Sequence, residues 1–200
     1  MVSDTRIFIP MQRTDFAPFH ARFPQGAAHT WLARRWYYTP RTHRAYSVRQ
    51  ISPGDRRLLA EFALTLTRNM VDRELACMQQ LSDMLFERVI AGGTDNAVGF
   101  AALENTSAGD RVIGVAAYAP SSDDSASFSL AVAQMYREEQ VGRVLLSTLI
   151  LHAKRVRVPR LTGEMCWSNR PMQMLAMSMG FSVEPVARDR NLRCLVLPLK

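Results

Sequence analysis

The sequence predicts an α+β fold built on a mixed, mostly antiparallel β-sheet of about six to seven strands, with helices on both faces. Three observations support this prediction. Two stretches with apolar residues at helical spacing come first, three short strands joined by polar turns follow, and the last of these strands leads through a helix into a further strand. Because a helix that links two strands normally makes them parallel neighbours, the final unit adds a parallel pair to an otherwise antiparallel sheet.

The chain has 200 residues, which fits one domain with an extension. We predict an N-terminal extension over residues 1–44, rich in arginine and aromatic side chains, and a folded domain over residues 45–200. Within the extension, Arg6–Ile9 is predicted to form a short strand.

The first helix of the domain has clear start signals. Ala45–Ile51 is predicted as the first strand, and Ser52, Pro53 and Asp55 then supply an N-cap, a proline at the first helical position and an acid in the first turn. A second helix is predicted over Asp72–Val89, because its apolar residues recur on one side.

The remaining elements follow from alternation, turn chemistry and helical spacing. Three meander strands, separated by polar turns at Asn105–Asp110 and Pro120–Ser125, are predicted at Ala97–Leu103, Val112–Tyr118 and Ser127–Val132. The predicted C-terminal part comprises a helix at Arg143–Arg157, a strand at Leu161–Cys166, a short helix at Pro171–Met179 and two closing strands.

Composition limits the class of protein. Hydrophobic residues make up 48% of the chain and charged residues 22%, which is ordinary for a soluble globular protein. No apolar run approaches the roughly 20 residues that span a bilayer, and the N-terminus lacks the pattern of a secretory signal. The three cysteines and four histidines show no metal-ligand spacing. We therefore expect a cytoplasmic protein with free thiols, no metal and no membrane partner.

The net charge of +7 gives the protein a basic surface, which attracts anions. Phosphorylated cofactors, acidic protein patches and nucleic acids all fit a basic surface. The arginines are scattered along the chain rather than clustered, which does not favour a nucleic-acid groove.

One loop has the pattern of a phosphate site. Residues Arg137–Gly142 lie between a predicted strand and a predicted helix. A loop in this position places free backbone N–H groups and the positive end of a helix dipole at one point, where a pyrophosphate can bind.

The order of elements, together with Gly163-Glu164, Asn169, Met172 and Gly180-Phe181, resembles the GNAT superfamily of CoA-dependent N-acyltransferases. The resemblance covers roughly residues 46–199, and it is strongest to the protein lysine acetyltransferase-like domains. It implies a V-shaped splay between the two central parallel strands and acetyl-CoA as the cofactor. It also implies transfer of an acetyl group, by direct attack, to a primary amine of a protein or a small molecule.

The same resemblance implies which residues hold the cofactor. The backbone of the strand would pair with the pantetheine arm at Leu130, Ala131 and Val132. The loop and the helix start would hold the pyrophosphate, through Arg137, Gln140, Val141, Gly142 and Arg143. Asn169 corresponds to a polar side chain near the cofactor.

The loop departs from the family pattern at three positions. Gln140 replaces the central glycine of the loop, so we expect it to lose both positive φ and a close approach of the backbone to phosphate. Glu138 and Glu139 place two negative charges beside the proposed anion site.

The catalytic positions also depart from the pattern. Ser127 stands where lysine acetyltransferase-like relatives carry a glutamate, and Ala176 stands where a tyrosine acid is common. Glu164 matches a glutamate used as a base in bacterial ribosomal-protein N-terminal acetyltransferases, so we predict it as the general base. A strand-end carboxylate with a structural partner is the alternative reading of Glu164.

These departures leave a second function open, namely a GNAT-fold module that has lost turnover and senses CoA or binds a protein. The oligomeric state also stays open, a homodimer included.

Overall fold

The computed structural model describes residues 34–67, 89, 97–122 and 124–199. Eight strands are present in this part of the chain: β1 Arg35–Tyr38, β2 Ala45–Gln50, β3 Val98–Thr106, β4 Gly109–Ser122, β5 Ser125–Val132, β6 Arg160–Cys166, β7 Ser182–Val186 and β8 Asp189–Pro198. Its helices are α1 Arg56–Thr67, α2 Val141–Arg155 and α3 Arg170–Ser178, with short 3-10 turns at Pro53–Asp55 and Gln134–Tyr136. The predicted strand at Arg6–Ile9 and nearly all of the predicted helix at Asp72–Val89 lie outside the described residues.

All eight strands belong to one sheet, in the order β1-β2-β3-β4-β5-β6-β8-β7. Every neighbouring pair is antiparallel except β5 and β6, which are parallel. The α+β fold with a mixed, mostly antiparallel sheet is therefore confirmed. The sheet exceeds the expected strand number because β1, which lies inside the predicted extension, pairs with β2.

Helices cover both faces of the sheet, as predicted. On one face α2 buries Leu145, Leu146 and Leu149 completely, in the same cluster as Ala176 of α3. On the other face α1 buries Leu59 and Phe62 in a second cluster. The sheet thus has an α2–α3 face and an α1 face. Because side chains alternate along a strand, each strand residue of the site points toward one of these two faces.

The start of α1 agrees with the predicted cap. Asp55 accepts hydrogen bonds from the backbone N–H of Ser52 at 2.8 Å and from both terminal nitrogens of Arg49 at 2.6 Å each. The carboxylate therefore ties the beginning of the helix to strand β2.

The meander strands are longer than predicted. Asn105 and Asp110 were expected in a turn, but they face each other across β3 and β4, and the Asn105 amide donates to the Asp110 carboxylate at 3.2 Å. Side-chain pairing across the strands allows the ladder to continue into residues whose type favours turns.

Candidate functional site

The parallel strands β5 and β6 form a wedge. They pair only at Ala126 with Leu161 and at Ser127 with Thr162. Beyond these two positions β5 stays paired with β4, and β6 stays paired with β8, to their ends. The V-shaped splay predicted from the family resemblance is therefore present, and it opens toward the C-terminal ends of both strands.

A close ring contact lies at the point where the wedge begins. Phe128 is the first residue of β5 beyond the last pair, and its ring lies against Gly163 of β6. A Cβ added to Gly163 would come within 2.6 Å of this ring. The ring also packs on Phe181, with 5.1 Å between the two centroids. Gly163 therefore makes room for the aromatic side chain at the apex of the wedge.

The open part of the wedge exposes backbone groups of β5. The N–H of Ala133 donates to Ile113 of β4 at 2.9 Å, which directs the backbone of this residue and of alternate residues toward β4. The backbone groups of Leu130 and Val132 consequently face the gap, while those of Ala131 face β4. Of the three residues predicted to pair with pantetheine, the two flanking ones have the direction that such pairing needs.

The N-terminus of α2 lies next to the wedge. The Gly142 backbone is buried, and a Cβ there would meet Val132 of β5 at 3.5 Å and Leu175 of α3 at 3.4 Å. The first helical hydrogen bond runs from Val144 to Gln140 at 3.1 Å. Within the described part of the chain, the N–H groups of Val141, Gly142 and Arg143 have no acceptor. Unpaired amides at the start of a 15-residue helix are suited to holding an anion.

Gln140 corrects one expectation from the sequence. It adopts φ 59° and ψ 5°, in the left-handed region, although the missing glycine led us to expect the loss of positive φ. A non-glycine residue in this conformation costs roughly 1–2 kcal/mol. The loop therefore keeps the backbone shape that glycine would favour, at a cost in stability.

The two acids of the loop are engaged by the turn between β1 and β2. Glu139 is only 4% exposed and accepts a hydrogen bond from the backbone N–H of Arg41 at 3.0 Å. Burial raises the pKa of the Glu139 carboxyl, but hydrogen bonds from Arg41 and Thr42 outweigh it, so the pKa lies below its usual value. Glu138 forms an ion pair with the Arg41 guanidinium.

The two arginines of the predicted phosphate site differ in how they are held. Arg143 donates to the Ser178 hydroxyl at 2.9 Å and reaches the Met179 sulfur at 3.6 Å, so its guanidinium lies at the C-terminal end of α3. Arg137 is exposed at the beginning of the loop.

Asn169, which the family resemblance places near the cofactor, also caps a helix. It is the N-cap of α3, and its side-chain oxygen accepts a hydrogen bond from the N–H of Met172 at 3.2 Å. It follows the C-terminal end of β6, at the open side of the wedge.

Glu164 faces the α1 side of the sheet. Its strand neighbours Leu161 and Met165 are buried in the α2–α3 cluster, so the alternate side chains of Thr162 and Glu164 point the other way. Ser127 shares this face and pairs with Thr162. Glu164 is 26% exposed and forms an ion pair with Arg188 from the turn between β7 and β8.

The position where a tyrosine acid is common in the family has no titratable side chain. Ala176, at the position of the expected tyrosine acid, is completely buried. Neither Cys166 nor Cys194 forms a disulfide, and burial raises the pKa of Cys194. The described residues contain no group of three or more His, Cys, Asp or Glu side chains placed to hold a metal ion. None of their helices is long and apolar enough to cross a membrane.

The sequence did not reveal a network of hydrogen bonds and ion pairs around Tyr136, the residue just before the loop. The buried Tyr136 hydroxyl, just before the loop, accepts hydrogen bonds from Arg111 at 3.0 Å and from Arg44 at 3.3 Å. Both arginines also pair with Glu104, whose side chain is nearly buried. A single acid in an apolar strand was the available signal. Its partners come from the β1–β2 turn and from β4, so they could not be identified from spacing.

Comparison with solved structures identifies the fold. The chain matches no protein-family model, and no curated sequence is significantly similar to it. The GNAT domain of S. lividans PAT superposes with a TM-score of 0.64 at 19% identity, over 82% of this chain and 96% of that one. The ribosomal-protein-S18-alanine N-acetyltransferase from Escherichia coli gives 0.55 at 19% identity, over 78% and 94%.

A third solved structure is Arabidopsis thaliana NAA60 in complex with acetyl-CoA. It matches with a TM-score of 0.57 at 15% identity, over 76% of this chain and 98% of that one. The superpositions establish a common fold. At 15–19% identity they do not by themselves establish a common reaction. The chain therefore has the GNAT fold that its motifs predicted.

Proposed function

We propose that this GNAT-fold chain is an acetyl-CoA-dependent N-acetyltransferase that transfers acetyl to a primary amine. The observation that carries the proposal is the wedge between β5 and β6, with the backbone groups of Leu130 and Val132 facing it and the unpaired N–H groups of α2 beside it. The solved relatives support it, because they include named acetyltransferases and one complex with acetyl-CoA.

The residues present fit the two ends of the cofactor. A pantetheine arm contains amides, which need backbone partners of the kind that Leu130 and Val132 offer. A pyrophosphate needs N–H donors and positive potential, which Val141, Gly142 and Arg143 offer at the start of α2. When bound, acetyl-CoA supplies an activated acetyl group as a thioester.

Glu164 is our candidate for the base. The attacking amine must be neutral, so a carboxylate near the wedge that accepts its proton, directly or through water, assists the reaction. Ser127 cannot do this at neutral pH, and Glu164 is the carboxylate of β6 on the same face. In the structure this carboxylate forms an ion pair with Arg188.

The acceptor is a protein lysine, a protein N-terminus or a small amine. We favour a protein amine, because the GNAT domain of S. lividans PAT and the S18-alanine enzyme both match the fold. The proposal includes a cytoplasmic location and a homodimer.

Calorimetry with acetyl-CoA tests the first half of the proposal. We expect saturable binding of one acetyl-CoA per chain, and no heat at millimolar acetyl-CoA would refute the function. Release of CoA thiol in the presence of lysine peptides, peptides with a free N-terminus and spermidine tests the second half. Binding without thiol release for any amine would instead support the module that has lost turnover.

A further inference from the structure

We propose that Arg41, on the turn between β1 and β2, is a positioning residue for the cofactor. It neutralises Glu138, and its backbone helps to hold Glu139 inside the protein, so that the loop before α2 can accept a pyrophosphate. The inference rests on the proposed function, since it explains how this chain can bind acetyl-CoA with two acids in its phosphate loop.

The position of Glu139 gives the first argument. Its carboxylate is turned toward the β1–β2 turn, where it accepts from the backbone N–H of Arg41 at 3.0 Å and from Thr42. The residue is 4% exposed. A carboxylate that is buried and hydrogen-bonded in this direction is not available to repel an anion at the start of α2.

The ion pair of Glu138 gives the second argument. The Glu138 side chain is 73% exposed, and its partner Arg41 is 67% exposed. Without the guanidinium, an unpaired negative charge would remain three residues before Val141, which carries the first unpaired amide of α2. Coulomb repulsion of a pyrophosphate at such short range is weakened only in part by salt.

The β1–β2 turn has the internal bonds needed to hold this position. Thr39 is completely buried, its N–H donates to Arg44 at 2.9 Å, and its hydroxyl accepts from the Arg44 N–H at 2.8 Å. The Thr39 and Thr42 hydroxyls share a hydrogen bond of 2.7 Å. Arg44 also donates to the Tyr136 hydroxyl, so the same turn contacts the residue just before the loop.

The test compares acetyl-CoA affinity in a set of charge variants by calorimetry at low salt. We expect Arg41→Ala to weaken binding by roughly three- to tenfold, with a smaller effect at high salt. Arg41→Lys should stay close to the unmodified protein. The double variant Arg41→Ala with Glu138→Gln should recover the lost affinity, because the uncompensated charge is gone.

A matched control is Arg57→Ala, which also removes an exposed arginine from an ion pair, there with Glu61 on α1. It should leave the affinity unchanged. Glu138→Gln alone provides a variant that does not depend on the folding of Arg41→Ala, and it should bind at least as tightly as the unmodified protein.

The outcomes separate this inference from the proposed function. If the unmodified protein binds acetyl-CoA and Arg41→Ala binds equally well, or if Glu138→Gln weakens binding, the positioning role is overturned and the transferase proposal stands. If the double variant stays as weak as Arg41→Ala, charge neutralisation is overturned. If the unmodified protein does not bind, both proposals fall.

Discussion

Gln140 holds a backbone conformation that its side chain disfavours, immediately before the amides of the proposed phosphate site. The sequence identified the position as abnormal, because a glycine belongs there in the family pattern. It did not reveal that the loop keeps φ at 59°. Gln140 lies between the buried Glu139 and the first turn of α2. Glu139 is held by the distant residue Arg41, and this contact overrides the local preference of Gln140.

Gln140→Gly is therefore expected to stabilise the fold. Glycine relieves the left-handed strain, and part of this gain is offset by its greater freedom in the unfolded chain, so we expect an increase of about 0.5–1 kcal/mol in the free energy of unfolding. Urea unfolding measures this change. Gln140→Ala is the control, since it removes the same side chain and keeps the strain. Equal stabilities for the glycine and alanine variants would show that the conformation carries no cost.

Glu164→Gln tests the base. We expect kcat to fall at least about 100-fold, because the amide cannot accept a proton, while acetyl-CoA affinity stays the same. The matched control is Glu184→Gln on β7, since Glu184 pairs across the sheet with Cys194, which in turn pairs with Glu164. Thiol-release kinetics measure both variants. Full activity of Glu164→Gln would mean that this carboxylate serves only as the partner of Arg188.

At the scale of elements, the sequence predicted those elements that depend on interactions between residues close in the chain. The α1 start, α2 and α3 were predicted because capping residues and apolar spacing are local signals. The strand β1 was missed, since four residues carry little alternation and its stability comes from pairing with β2. The wedge came from family resemblance rather than from any pattern, and its apex depends on a contact between Phe128 and Gly163 that no spacing reveals.

The ion pair between Arg49 and Asp55, where β2 leads into α1, should make the free energy of unfolding decrease at acid pH. Hydrogen bonds from Arg49 lower the pKa of Asp55 to about 2, against 3.8 for a free aspartate. A lowered pKa in the folded state contributes stability above the unfolded value, and this contribution is lost as the pH falls from about 4 to about 2. Because the Arg49 side chain is 19% exposed, solvent screens the pair, and we expect about 1–2 kcal/mol rather than the energy of the full pKa shift.

Asp55→Asn should therefore lower the free energy of unfolding by about 1–2 kcal/mol at pH 7, and the difference should shrink toward zero near pH 2. Urea unfolding at a series of pH values measures it. Glu61→Gln is the control, because its ion pair with Arg57 is exposed to solvent and should contribute little to stability at any pH. A difference between Asp55→Asn and the unmodified protein that is independent of pH would assign the effect to packing instead.

At the scale of the whole molecule, the sheet consists of two antiparallel parts. Strands β1–β5 form one and strands β6–β8 form the other, and in the sheet they meet only at the two residue pairs below the wedge. A ligand that pairs with the β5 backbone in the wedge and binds the N-terminus of α2 would fix strand and helix together. The net charge of +7 adds a general attraction for an anionic ligand.

Acetyl-CoA should accordingly raise the thermal midpoint of unfolding. A ligand at 100 times its dissociation constant stabilises a protein by about 2.7 kcal/mol, which corresponds to a shift of about 5–10 °C for a chain of this size. Acetyl-pantetheine carries the same thioester arm without phosphates, so at equal concentration it should give a much smaller shift. The shift with acetyl-CoA should also decrease as salt is raised, because the phosphates interact through charge. Equal shifts for the two ligands, independent of salt, would show that the start of α2 contributes nothing to binding and would remove the phosphate loop from the proposed site.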